Sequence, residues 1–150
     1  MNNEKDNVYD LVEDFYAHDE GWNTLLRQEY AEGFLRMEAW KGKKNSDLYR
    51  SWDNLTMLCL YLGSAETFLG DMNADDFIDC IAWCGRNISE FTPDYKNTQD
   101  FLETCDGLFK YLKGKNAISN DTVPATAAEI LLQEGKMNII LPDGSFDEAN

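Results

Sequence analysis

The chain has 150 residues, 43% of them hydrophobic and 13% aromatic, which is enough apolar material for one ordinary domain with a sizeable core rather than a disordered chain. Thirteen Lys and Arg stand against 28 Asp and Glu, a formal net charge of −15. That balance argues against direct binding to duplex nucleic acid, where cations must meet phosphates, and against docking on an anionic membrane.

Residues 1–7 are polar and lack the apolar stretch of a signal peptide, and no apolar run approaches the roughly 18 residues of a membrane span. The expectation is a cytoplasmic protein whose four cysteines, Cys59, Cys80, Cys84 and Cys105, stay reduced. Charge is spread unevenly. Residues 1–40 hold ten acids and three bases, and residues 71–110 hold nine acids and three bases. Between them, residues 41–70 hold four bases (Lys41, Lys43, Lys44 and Arg50) against three acids.

Helical periodicity dominates in chain order. Val8, Leu11, Val12, Phe15 and Tyr16 make one apolar stripe, predicting a first helix over 7–18. Trp22, Leu25, Leu26, Tyr30, Phe34 and Met37 predict a second over 21–41, broken by Gly42-Lys43-Lys44-Asn45. Ser46 can cap a third helix with a stripe of Leu48, Trp52, Leu55, Cys59 and Leu62, and Gly63 is placed to end it in the left-handed conformation. Asn73 and Asp76 have capping-box spacing for a fourth helix, whose inner face is Phe77, Ile81, Cys84 and Ile88. Thr92-Pro93 reads as a hydroxyl cap followed by proline at the first helical position. That fifth helix carries Phe101, Leu102, Cys105, Leu108, Phe109 and Leu112, and closes at Gly114. Thr126 and Glu129 have the spacing of another capping box, predicting a short sixth helix that stops at Gly135.

After it, Met137-Asn138-Ile139-Ile140-Leu141 reads as a strand, Pro142-Asp143-Gly144 as a turn, and Ser145-Phe146 as the start of a return strand. The expected fold is therefore all-α, a bundle of five to six helices over 1–135 with a short C-terminal β-hairpin or tail over 136–150 packed on the same domain. The expected core is Trp52, Leu55, Cys59, Phe77, Ile81, Cys84, Leu102, Cys105 and Phe109.

Motifs for known chemistry are missing. There is no G-x-S-x-G, no G-x-x-x-x-G-K-[ST] and no G-x-G-x-x-G. The single histidine, His18, cannot furnish the paired ligands of a di-metal carboxylate bundle, and it reads as a residue near a helix C-terminus, where the dipole favours a cation. Four cysteines are the number a structural zinc site takes, but their spacing is not the usual C-x₂₋₄-C pairing, and cysteine packs readily as a small hydrophobe. The acids Asp71, Asp75, Asp76 and Asp79 crowd the start of the fourth helix without a calcium-loop pattern. They read as caps and a solvated face, or as an acidic surface for a basic partner. No catalytic residue, metal ligand or cofactor is expected.

One order of residues is familiar. It runs from Leu48-Tyr49-Arg50-Ser51-Trp52 to Leu60-Tyr61-Leu62, then through Met72-Asn73-Ala74-Asp75-Asp76-Phe77. It continues with Phe101-Leu102 and Leu108-Phe109-Lys110-Tyr111-Leu112 and ends at Asn116-Ala117-Ile118-Ser119-Asn120. Over residues 46–120 this resembles the helical core-binding domain of tyrosine recombinases, and is similar to bacterial helical domains found beside SEC-C zinc motifs. The resemblance implies a helical architecture of bacterial or phage-like kind. It carries over neither a catalytic domain, for which the chain has no room, nor the basic DNA-clasping face.

The functional expectation is a small, acidic, non-catalytic protein-interaction or regulatory module. Trp22, Trp40, Tyr49 and Tyr61 are the candidate interface anchors, since exposed aromatics often carry binding energy. Asp71, Asp75, Asp76 and Asp79 are the candidate contacts for a basic protein partner. Ile139, Ile140 and Leu141 are the candidate strand for pairing with a partner or with a second copy in a homo-oligomer. The alternatives are a nucleic-acid-related module, either a DNA mimic or a degenerate core-binding domain, and a metal-binding protein using the cysteines.

Overall fold

Two long helices form the centre of the molecule. In the computed structural model, which describes residues 8–18, 20–92 and 94–133, they are α3 (Asn45–Ala65) and α5 (Tyr95–Gly114). Around them lie α1 (Val8–His18), α2 (Gln28–Trp40), α4 (Ala74–Asn87) and α6 (Val123–Gln133), with short 3₁₀ turns at Glu20–Thr24 and Leu69–Asp71. α3 packs against α1, α2, α4 and α5, and α6 closes the far side by packing on α4 and α5. The described residues are all-α and include no strand. The expected hairpin, with Ile139, Ile140 and Leu141, lies outside them.

The apolar stripes read from the sequence do the packing. Leu55, Leu58 and Leu62 of α3, Phe77 and Ile81 of α4, and Phe101, Leu108 and Phe109 of α5 are fully buried. The rings of Phe77 and Phe109 meet edge-on at 5.4 Å between centroids, a geometry aromatic quadrupoles favour. All nine residues of the expected core are buried. α1 is held by Val8, Val12 and Tyr16, and the Tyr16 hydroxyl donates to the Leu26 carbonyl, which ties α1 to the segment leading into α2. Burial leaves this phenol with a strong preference for its proton.

α2 and α5 approach closely because each offers the other a glycine. Tyr111 of α5 lies where a side chain at Gly33 would begin, and Phe34 of α2 lies 3.1 Å from where one at Gly107 would begin. The two rings are 6.4 Å apart. The reciprocal seating places a ring of each helix over a gap in the other.

Several boundaries differ from those read in the sequence. The predicted second helix is split: Glu20–Thr24 is a 3₁₀ turn, and α2 starts only at Gln28. Ser46 lies inside α3, and its N-cap position is Lys44, without a side-chain cap bond. Gly63 does not end α3. The helix continues to Ala65, and Glu66 takes the left-handed conformation at φ 57°. The Asn73–Asp76 capping box is present as expected: the Asn73 side chain accepts from Asp76 N and the Asp76 carboxylate accepts from Asn73 N, both at 2.9 Å. For α5 the cap is Asp94, not Thr92, because the Asp94 carboxylate accepts from Asn97 N at 2.8 Å. α6 begins at Val123, a turn's length before the expected Thr126, whose hydroxyl instead bonds back to the Thr122 carbonyl at 3.0 Å.

Candidate functional site

The connection from α2 to α3 is a corner fixed by its backbone. Gly42 N donates to Ala39 O at 3.0 Å and Lys43 N to Glu38 O at 3.1 Å, the paired bonds of a Schellman motif. Gly42 stands at φ 105°, a left-handed position that glycine occupies without a side-chain penalty. On this corner sits Trp40, the last residue of α2, with 90% of its surface exposed. Lys41, Lys43 and Lys44 follow it. Lys43 pairs with Glu38 at 3.2 Å, whereas Lys41 and Lys44 form no ion pair among the described residues.

The other aromatics singled out in the sequence are differently placed. Tyr61 is 7% exposed, its ring set edge-on to Trp83, and burial pushes its phenol up to about 12. Trp22 is half-buried against Phe15, and Tyr49 is half-buried at the edge of the core. The four aromatics therefore do not share one surface property.

The acidic residues gather where expected, at the start of α4. Asp76 is engaged in the capping box, and Asp71, Asp75 and Asp79 are exposed. Partial burial, with the charges of Asp76 and Asp75, makes the Asp79 carboxyl hold its proton more tightly than usual, while Arg86 opposes the shift. His18 ends α1, and its Nδ1–H donates to the Asp14 carbonyl at 2.8 Å. That bond, with the Asp14 charge, raises the imidazole's affinity for a proton.

The four cysteines come from α3, α4 and α5, and all are buried free thiols. Burial pushes Cys59 up to about 12 and moves Cys80 and Cys105 in the same direction, so they sit in the core as neutral thiols. The Cys84 thiol, one turn on, adds to the shift at Cys80. Among the described residues no group of three or more His, Cys, Asp or Glu side chains is arranged to hold a metal ion. No described helix is long and apolar enough to cross a membrane.

A further feature is absent from the sequence reading: a cleft of about 410 Å³ between α3, α5 and the segment joining α4 to α5. Asn54 lies at its edge, 4% exposed, with its Nδ2 donating to Thr104 Oγ1 at 2.9 Å and to Asp100 Oδ2 at 3.1 Å. Thr104 in turn donates to the Asp100 carbonyl at 3.0 Å. The partners of Asn54 are 46 and 50 residues away, so no local pattern announces them. The usable signal was the spacing of Asp100 and Thr104, one helical turn apart on the polar margin of α5.

No family model, no curated protein and no solved structure matches the chain.

Proposed function

We propose that this protein is a non-catalytic interaction module that docks on an acidic protein surface through Trp40 and the lysines that follow it. The observation that supports this reading is the exposure of Trp40. Isolated apolar residues on a surface are ordinary. The other large exposed hydrophobics, however, keep a substantial part of their surface covered, and Phe68, the next most exposed, reaches only 57%. Trp40 keeps almost none covered, on a corner whose backbone is already fixed. A tryptophan buries roughly 150–250 Å² when it docks, and it is among the residues most enriched at binding hot spots. A fixed corner loses little further freedom on binding.

The support from charge is local: Lys41 and Lys44, which form no ion pair among the described residues, give this corner positive charge on a molecule whose net charge of −15 otherwise repels an acidic surface. The test is parallel capture from host lysate with the wild-type chain and with Trp40→Ala. A stoichiometric acidic partner should be held by the first and lost by the second, with unchanged circular dichroism. Equal capture by both chains, or no stoichiometric partner for the wild type, overturns the reading.

A further inference from the structure

The cleft between α3 and α5 is separate from the Trp40 corner, sharing none of its residues. Its rim carries three carboxylates, Asp53, Glu90 and Asp100, against one guanidinium, Arg50, and none of the three forms an ion pair with Arg50. Its wall is apolar, formed by Met57, Ile88 and Phe91. At about 410 Å³ it falls within the range of small-molecule sites.

Asn54 gives the cleft a directed polar group. A carboxylate only accepts, so the Asn54 atom facing Asp100 is the nitrogen, and both its hydrogens are spent on Asp100 and Thr104. The amide carbonyl is then the atom left over, an acceptor on a side chain that is almost wholly buried. Among the described residues the only sealed side-chain polar atom without a partner is Thr98 Oγ1, so Asn54 Oδ1 keeps some access to solvent, and Asn54 lines the cleft. Asp53 adds a second mark: although it lies at an exposed position, partial cover of its carboxyl makes it hold its proton more tightly than usual. The cleft therefore presents acceptors and negative charge beside apolar side chains, and Arg50, the cation that lines it, forms no ion pair with its carboxylates.

We infer that this cleft binds an aliphatic diamine or polyamine, its ammonium groups meeting Asp53, Glu90 and the Asn54 carbonyl and its methylene chain lying along Met57, Ile88 and Phe91. Ammonium–carboxylate hydrogen bonds are among the stronger polar contacts, and a methylene chain gains from apolar cover.

A strongly acidic protein attracts polyamines everywhere, so the test must separate the cleft from the surface. Calorimetric titration of the full chain with diaminobutane and with spermidine should give saturable one-to-one binding. Asp53→Asn and Glu90→Gln, both at exposed positions, should each weaken it by about tenfold. Asp71→Asn and Asp75→Asn remove the same charge from the α4 face and should change it by less than about twofold. Equal weakening by all four variants reduces the binding to general charge attraction and overturns the inference. So does the absence of saturable binding up to about 1 mM amine. Loss of circular dichroism in Asp53→Asn would shift the decision to Glu90→Gln, which lies outside any helix.

Discussion

Trp40 and Trp52 stand twelve positions apart in the chain and have opposite surroundings. Trp52, on α3, is 6% exposed and packs edge-on against Phe15 at 5.3 Å and beside Tyr16 at 6.5 Å. Trp40 ends α2 with 90% of its surface exposed. Residue type does not separate them; helical register does. Trp52 continues the stripe of Leu48, Leu55 and Cys59, whereas Trp40 stands five positions past Leu35, on the side of α2 turned away from Ala31, Phe34 and Leu35. The comparison assigns the two tryptophans different work, one to holding the bundle and the other to whatever meets its corner.

The largest effect should break that symmetry in stability. Trp52→Ala should lower the unfolding free energy by about 3–5 kcal/mol, the usual range for removing a buried large aromatic. Trp40→Ala should stay within about 0.5 kcal/mol, as surface changes do. Urea unfolding followed by far-ultraviolet circular dichroism reads both. A matching loss in the two variants would mean that Trp40 is packed in solution and would remove the basis of the docking proposal.

The glycine seam between α2 and α5 sharpens the same contrast between covered and uncovered rings. Alanine in place of helical glycine gains about 1 kcal/mol from propensity, and packing decides whether that gain survives. At Gly107 the obstacle is the fully buried ring of Phe34, 3.1 Å from where the new side chain would begin, so Gly107→Ala should be destabilising on balance, by about 1 kcal/mol. At Gly33 the obstacle is the outer end of Tyr111, a half-buried ring able to swing toward solvent, so Gly33→Ala should cost less. Thermal unfolding of the two variants gives the order. A larger loss at Gly33 would show that Tyr111 is held as firmly as Phe34.

What the sequence made legible follows how local each signal is. The α4 start was readable because its whole device, Asn73 and Asp76, lies within four residues. The α5 start is ambiguous in sequence because Thr92 and Asp94 are both good cap types, and only the bond to Asn97 N distinguishes them. The end of α3 is not legible in the same way, because a glycine near a helix end is a common stop but not a required one. Gly63 instead continues the helix beside Leu25, leaving the turn to Glu66. Core positions such as Phe77 and Cys105 were legible from period alone. The α3–α5 cleft was not, since Asn54, Asp100 and the residues around Ile88 come together only when three separate parts of the chain pack.

The smallest effect concerns Asp79, between the extremes set by the two tryptophans: a surface acid that is partly covered. Burial first, then the charges of Asp76 and Asp75, make its carboxyl hold a proton more tightly in the folded chain than in the unfolded one. Proton binding at this site therefore favours folding. Its contribution is fully present below the ordinary aspartate range, near about pH 4, and is lost as the pH rises through the higher folded value. At pH 7 the charged Asp79 weighs against the fold, and Asp79→Asn should raise the midpoint of thermal unfolding slightly. That advantage should shrink as the pH falls below about 4, where the wild-type side chain is itself neutral. Asp76, three positions earlier on the same helix, supplies the opposite sign, because its carboxylate accepts from Asn73 N: Asp76→Ala should cost about 1 kcal/mol at pH 7. Equal destabilisation by both changes would mean that Asp79 is engaged by a cation the fold holds near it, and that the acidic start of α4 is a bonded structure rather than a solvated face.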